Sequence, residues 1–419
     1  MNTARADALA ARAHLLEAGG WQFRRLEPFR FVAPPPAEVW LGEAAATPCA
    51  LPPLAGAGWT VHPIGRAGLL DARWLDATDA EQRAELLRGL PAPGDDHATP
   101  FAWAHRALCR QGLRLRVAAD QTGDSPLTLQ LRHLPGAVVE APLLVIELEP
   151  GARCVLIETH ERDSATASCA QDAVQNLQIH LRLAEGARLQ HWRVAQPAAG
   201  DRIAHHLDVR LGRGAEYGQA MLAGGSAYHL QRAQVLLEGE GAQARLTSVL
   251  LADATQLDRQ VRMVHAGSRT ASTARVLALA GGRALVSGDL YAHVQPGAED
   301  ADIHQHLAGI PTVGAPRLVM RPQLEIEHDA VKAAHGTTWG RLPDDAIFFA
   351  RQRGLDRAAA LALILQGMAA AELTRGLGDD ELVQSSGAGQ ALDAALLGYL
   401  GAEGLLDPAP AAPAGGRHG

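Results

Sequence analysis

Arg321-Pro-Gln-Leu-Glu-Ile-Glu-His-Asp-Ala-Val-Lys-Ala-Ala-His335-Gly-Thr-Thr-Trp-Gly340-Arg-Leu-Pro-Asp-Asp-Ala-Ile-Phe-Phe-Ala-Arg-Gln-Arg-Gly354 is where two periodicities meet. Leu324 and Ile326 alternate with Glu325 and Glu327, the period of a half-buried strand. His335-Gly336-Thr337-Thr338 breaks that alternation with a glycine, and Gly340 follows. Pro343 suits the first turn of a helix, where its missing N–H is not needed. Asp344 and Asp345 suit the positive end of the helix dipole, and Gly354 is placed to close the helix. His335 is therefore expected on the connection between the last strand of a β body and the first helix of an α tail, and such loops concentrate function.

Upstream of this stretch the period is two. Leu113, Leu115 and Val117 alternate with arginines, Leu127, Leu129 and Leu131 repeat the pattern, and Leu177, Ile179, Leu181 and Leu183 alternate with Gln178, His180 and Arg182. The runs end in a recurring Gly-Ala turn at Gly151, Gly186, Gly214, Gly241 and Gly297. Gly186 to Gly214 is 28 residues and Gly214 to Gly241 is 27; Gly267 falls 26 further on and Gly297 another 30. A near-constant period of this size signals stacked supersecondary units, with glycine supplying positive φ at each corner and alanine letting coils approach. An antiparallel sandwich, with the same turns as hairpins, fits the periodicity equally well.

The flanks read as helical. Residues 1–112 show a first helix from Thr3 or Asp7 to Glu17, a Thr78-x-x-Glu81 capping box, and a helix opened by Thr99-Pro100, with loops at Pro34-Pro35-Pro36 and Pro52-Pro53. After His335, Asp356 is placed to cap a helix whose stripe is Leu361, Ile364, Leu365 and Met368, and another helix spans about Ala391 to Leu406. The organisation expected is a helical region over 1–112, a β core over 113–335, a helical domain over 336–407 and a low-complexity, disordered tail over 408–419.

Composition narrows the function classes. The net charge of −8, with one lysine (Lys332) among many arginines, argues against nucleic acid or an anionic membrane surface as partner. Cys49, Cys109, Cys154 and Cys169 form no Cys-x-x-Cys pair, so neither a disulfide framework nor a zinc site is indicated. No uninterrupted apolar run reaches membrane-spanning length and no signal-peptide core precedes Gly20, so a cytoplasmic chain is expected. There is no phosphate-binding Gly-x-x-x-x-Gly-Lys loop and no Gly-x-Ser-x-Gly elbow.

Pro322, Leu324, Ile326, Asp329, Val331, Lys332, His335, Gly336, Thr338, Gly340, Phe348, Arg351, Arg353 and Gly354, at their spacing, resemble the C-terminal signature of the SufB/SufD family of iron–sulfur cluster assembly scaffolds. Where that signature usually carries Cys-Ser, this chain has Ala333-Ala334, and no cysteine follows Cys169, so the resemblance is to the SufD branch. The resemblance implies a mainly β fold, a right-handed parallel β-helix flanked by N-terminal and C-terminal helical regions. It implies a non-catalytic scaffold subunit, not an enzyme, that pairs with a SufB-like subunit through the β-helix. Docking of a SufC-like ATPase is implied through the C-terminal helices, with Phe348, Arg351 and Arg353 as contacts. No cluster is expected on the isolated chain; a transient iron–sulfur cluster in the complex would use His335 as a ligand shared with the partner, supported by Lys332, Glu325 and Glu327.

Other readings compete with it. His335 could simply fix a turn. His304-Gln-His306 places two imidazoles on one strand face, and His205-His206 points to opposite faces. The carboxylates around Asp300, with Asp302, Glu325, Glu327 and Asp329, would suit a β-helix carbohydrate-active enzyme, although sugar-stacking aromatics beyond Tyr291 are missing from these coils. A histidine-based metal hydrolase is the third possibility.

Overall fold

The corner turns share one construction. The N–H of Ala152, Ala187, Ala215, Ala242 and Ala298 donates to the carbonyl three residues earlier, over 2.9–3.2 Å. The glycine before each alanine has φ between 59° and 87°, where a side chain would be strained. Each alanine is fully buried, so a larger residue would have to displace its neighbours. Gly267 is not the corner expected of it. Arg269, at φ 54°, takes the glycine place and buried Thr270 the alanine place. With Arg269 as the corner, the steps after Gly241 become 28 and 28 residues, matching the step before Gly214.

The chain is a parallel β-solenoid. The structure, a computed structural model, describes residues 3–17, 20–23, 26–42, 58–93, 99–120, 126–135, 138–160, 172–342 and 344–402. Cys49, Pro52, Pro53, Cys169, Pro343 and the 408–419 tail lie outside the described residues. From Leu143–Leu148 onward successive strands alternate between a ten-stranded and a nine-stranded sheet, so each coil gives one strand to each. The lumen between the sheets is filled by rows such as Leu127, Cys154 and Leu189 from one and Ile179, Leu207 and Ala233 from the other. Each fully buried leucine contributes about 1.5–3 kcal/mol. Pairing in register between coils excludes the sandwich alternative: Val209, for example, lies between Leu181 and Val235 in parallel strands.

Both outer faces are covered over the middle coils. Phe23, Phe29, Trp40 and Phe101 of the N-terminal region pack on Val174, Ala204, Tyr228 and Leu230 of the ten-stranded sheet. The C-terminal helices lie on the nine-stranded sheet, burying Val155, Trp192, Leu222, Val249 and Leu279. This cover explains why stretches of the nine-stranded sheet, such as Val249-Leu250-Leu251 and Leu277-Ala278-Leu279, are apolar on both faces. Helix Arg357–Leu377 is capped by Asp356, whose side chain accepts from the Ala359 N–H. It faces the sheet with Leu365, Ala369, Leu373 and Leu377, while Met368, placed in the apolar stripe by sequence, is exposed. Gly376 is required by close approach: a Cβ there would lie 2.1 Å from Thr247 Oγ1 and 2.7 Å from the Gln219 carbonyl oxygen. Glu372 accepts two hydrogen bonds from Arg275 of the sheet, at 2.7 and 2.9 Å. By length and composition this helix is apolar enough to cross a bilayer, although no uninterrupted apolar run in it is that long; its inner face is buried on the sheet.

The N-terminal region differs from the helical expectation. Strands Trp59–Ile64 and Leu70–Asp76 pair antiparallel with Leu127–His133 and Gln111–Val117, capping the first coil. Leu70–Asp76 is mostly exposed, while Trp59, Val61 and Leu70 pack on the end of the lumen core, so pairing to the coil edge and this small apolar contact fix the two strands. Helix Ala80–Leu87 is capped by Asp79, which accepts from the Glu81 and Gln82 N–H groups, and not by Thr78. At the other end the last helix runs Ala388–Ala402.

Candidate functional site

The two ends of the solenoid are built differently. Antiparallel strands close the first coil, whereas the last coil, Arg317–Ile326 and Val331–Trp339, forms the terminal strand of each sheet and is bonded on one side only. Such an edge is a template for pairing with another chain. His335 lies within strand Val331–Trp339, opposite Gln305, and not on the strand-to-helix connection expected for it. The glycine that seemed to end the strand, Gly336, is accommodated within it beside His306. Residues two apart share a face, and Ile303 and Leu307 on the neighbouring strand point into the lumen. In register above them are Ala333, His335 and Thr337. His335 therefore projects on the lumen side of an exposed coil end, and the position lacking the family thiol shares its face. Lys332, opposite Asp302, points outward and is exposed.

Glu325 belongs to the other sheet, and Glu327 follows the end of its strand at Ile326. Leu324 packs inward, so Glu325 faces out, away from the lumen. Among the described residues Glu325 accepts from the Tyr291 hydroxyl, and Glu327 Oε1 lies 2.6 Å from His293 Nε2. Neither is hydrogen-bonded or ion-paired to His335 or Lys332. Asp300 is a corner residue at φ 55°, and Asp302 pairs with His304 at 3.1 Å, so the acidic residues near Asp300 do not converge on one groove. Beyond the last coil, helix Asp344–Arg351 buries Ile347 but leaves Phe348 57% and Phe349 60% exposed. Arg353 donates to the Phe349 carbonyl at 3.0 Å, and Trp339 at the end of the last strand is 71% exposed. Phe349 was missed by sequence because only Phe348 matches the signature spacing.

A second feature was not legible at all: a polar seam inside the lumen. Glu158, His160, His191, Arg193, His205, Gln219, Gln231 and Arg259 are all buried. Arg193 donates to Glu158 Oε1 at 3.1 Å, Gln231 Oε1 at 2.9 Å and His205 Nδ1 at 2.9 Å. His191 Nε2 donates to Glu158 Oε2 at 2.9 Å while its Nδ1 accepts from the Tyr217 hydroxyl at 3.0 Å. Burial opposes ionisation of Glu158, but Arg193 and the hydrogen bonds from His160 and His191 outweigh it, holding the carboxyl well below its ordinary range. Burial keeps His160, His191 and His205 below theirs, hence neutral. His205 points into this seam and His206 outward against the Phe101 ring, on opposite faces as their spacing requires.

Buried histidines make stability depend on pH. Burial pushes His105 down to about 3 and His229 and His265 down to about 4, while burial pushes the Asp258 carboxyl up to about 7. Below the ordinary histidine value the unfolded chain gains protons at these imidazoles, and at His160, His191 and His205, that the fold refuses, whereas burial favours the protonated form of Asp258 and Asp289 in the fold. Stability should therefore fall as the pH drops below about 7, by several kcal/mol in all (order of magnitude) by about pH 5. Urea unfolding at about pH 7.5 and about pH 5 checks this; equal midpoints would mean these imidazoles titrate freely in the fold.

Comparison with known proteins adds two findings. Residues 134–368, more than half of the chain, match the family model for SUF system FeS cluster assembly, SufBD core domain. A 64-residue segment is 47% identical to the iron–sulfur cluster assembly protein SufD of Escherichia coli (strain K12), covering 15% of this chain and 15% of that protein.

Proposed function

Since the chain belongs to the SUF-system iron–sulfur cluster assembly family that carries the SufBD core domain, we propose that it is a non-catalytic scaffold subunit of such an assembly complex. It pairs with a SufB-type subunit through the open coil end and docks a SufC-type ATPase through its C-terminal helices. The observation that carries the proposal is the uncapped last coil, which presents His335 on the lumen side of an unshared strand edge. His335 ligates a transient cluster shared with the partner, Lys332 places positive charge on the same strand, and Glu325 and Glu327 line the other edge. The isolated chain is expected to hold no stable cluster: among the described residues the thiols of Cys109 and Cys154 are buried, burial pushing both up to about 12, and stable clusters need several thiolates. Free buried thiols suit a reducing cytoplasm. Nucleic acid and membrane are not its partners.

Phe348 and Phe349, exposed beside Arg351 and Arg353, are the proposed anchors for the ATPase. Co-expression with a SufB-type subunit and a SufC-type ATPase should recover all three together. The double substitution Phe348→Ser, Phe349→Ser should remove the ATPase from that complex, leave the SufB-type subunit bound, and leave the melting temperature unchanged. ATPase recovered undiminished with the substituted chain would place its docking elsewhere. Failure of the unsubstituted chain to hold either partner would sink the proposed function itself.

A further inference from the structure

We propose that His293, Glu325 and Glu327 form a binding site for a divalent first-row transition-metal ion on the outer face of the terminal coils. The imidazole and carboxylate donor atoms of the three lie within 4.8 Å of one another, and His293 Nε2 is 2.6 Å from Glu327 Oε1. Strand order places them there: His293 and Glu325 are register partners on adjacent parallel strands, and Ala292 and Leu324 beside them point inward. The site is supported from behind. Tyr291, on the same face, donates its hydroxyl to Glu325 Oε2, and the Arg262 guanidinium sits 4.8 Å over the Tyr291 ring. That arrangement orients one carboxylate as a second layer of contacts does around a metal ligand. The neighbouring cation Arg321 is engaged by Asp289 and Glu27.

The donor set decides the ligand class. One imidazole nitrogen and two carboxylates suit Fe²⁺, Mn²⁺, Co²⁺ or Zn²⁺, whereas a cuprous ion or a preformed cluster calls for thiolates. Two carboxylates supply the two negative charges that a dication neutralises, and three ligands from one face leave room for water or an incoming ligand. The site faces away from His335, so it is not the cluster position proposed above, and it stands on its own geometry.

Titration of the metal-free, untagged full chain with Co²⁺, and anaerobically with Fe²⁺, tests the site by calorimetry and visible absorption. A single tight ion per chain is expected, with affinity falling at least roughly tenfold in His293→Gln and in Glu327→Gln while the melting temperature holds. Tyr291→Phe should weaken binding less than either. Absence of binding below millimolar metal, or equal affinity in the substituted chains, would overturn the site. Because the isolated chain is titrated, this outcome does not depend on whether the chain joins an assembly complex.

Discussion

Replacing Arg193 with methionine is expected to cost the fold about 3–5 kcal/mol, the largest single loss at any residue of the seam. The arginine and Glu158 are both buried, and the guanidinium contacts Glu158, Gln231 and His205 at once. Methionine fits the stem of the arginine but leaves a carboxylate in the lumen with neutral imidazoles as its remaining support. Glu158 must then bind a proton or draw in water, and either destabilises the coil stack. Adding Glu158→Gln to the same chain should recover part of the loss by removing the stranded charge. By contrast, breaking the exposed pair Arg188–Glu216, 3.1 Å apart on adjacent coils, should change stability by less than about 1 kcal/mol. Urea unfolding of the three variants at neutral pH gives the comparison. A loss below about 1 kcal/mol for Arg193→Met would mean that the seam is hydrated and carries no such load.

The second large effect concerns cluster assembly. His335→Ala should lower the cluster content of the reconstituted complex by roughly tenfold or more, the scale on which even groups behind a metal ligand act. Folding should be untouched, because His335 is exposed on the last coil and fills no core volume. Ala333 shares its face but has no donor atom, so within this strand the imbalance falls on the imidazole. Ala333→Cys should accordingly not be needed for activity. Unchanged iron and sulfide in the His335→Ala complex, with both partners still bound, would leave this histidine a strand residue only.

The repeating coil was legible in the sequence because Gly151, Gly186, Gly214 and Gly241 each precede an alanine, a chemistry forced by φ and by lack of room. The coil at Arg269 was hidden because an arginine adopts the left-handed conformation there and a threonine fills the alanine place. His335 was misplaced for a related reason: Gly336 reads as a strand breaker, yet an edge strand accepts it when the neighbouring strand supplies the register. The seam could not be read because alternation does not say which face is wet. In Gln190-His191-Trp192-Arg193 the polar pair His191 and Arg193 points into the lumen, while Trp192 points out against the C-terminal helices. The same cover changes how those helices can be probed. Deleting everything after Gly340 would expose Val155, Trp192, Leu222, Val249 and Leu279, so a truncated β core should aggregate and point substitutions are the sound test.

The proposed role stands or falls on one comparison. Iron and acid-labile sulfide should be measured in a SufB-type subunit with its SufC-type ATPase, reconstituted anaerobically with and without this chain. The expected result is a clear rise in both, in equal proportion, when the chain is present, with neither on the chain alone. Equal iron and sulfide with and without the chain would contradict its place as a scaffold subunit.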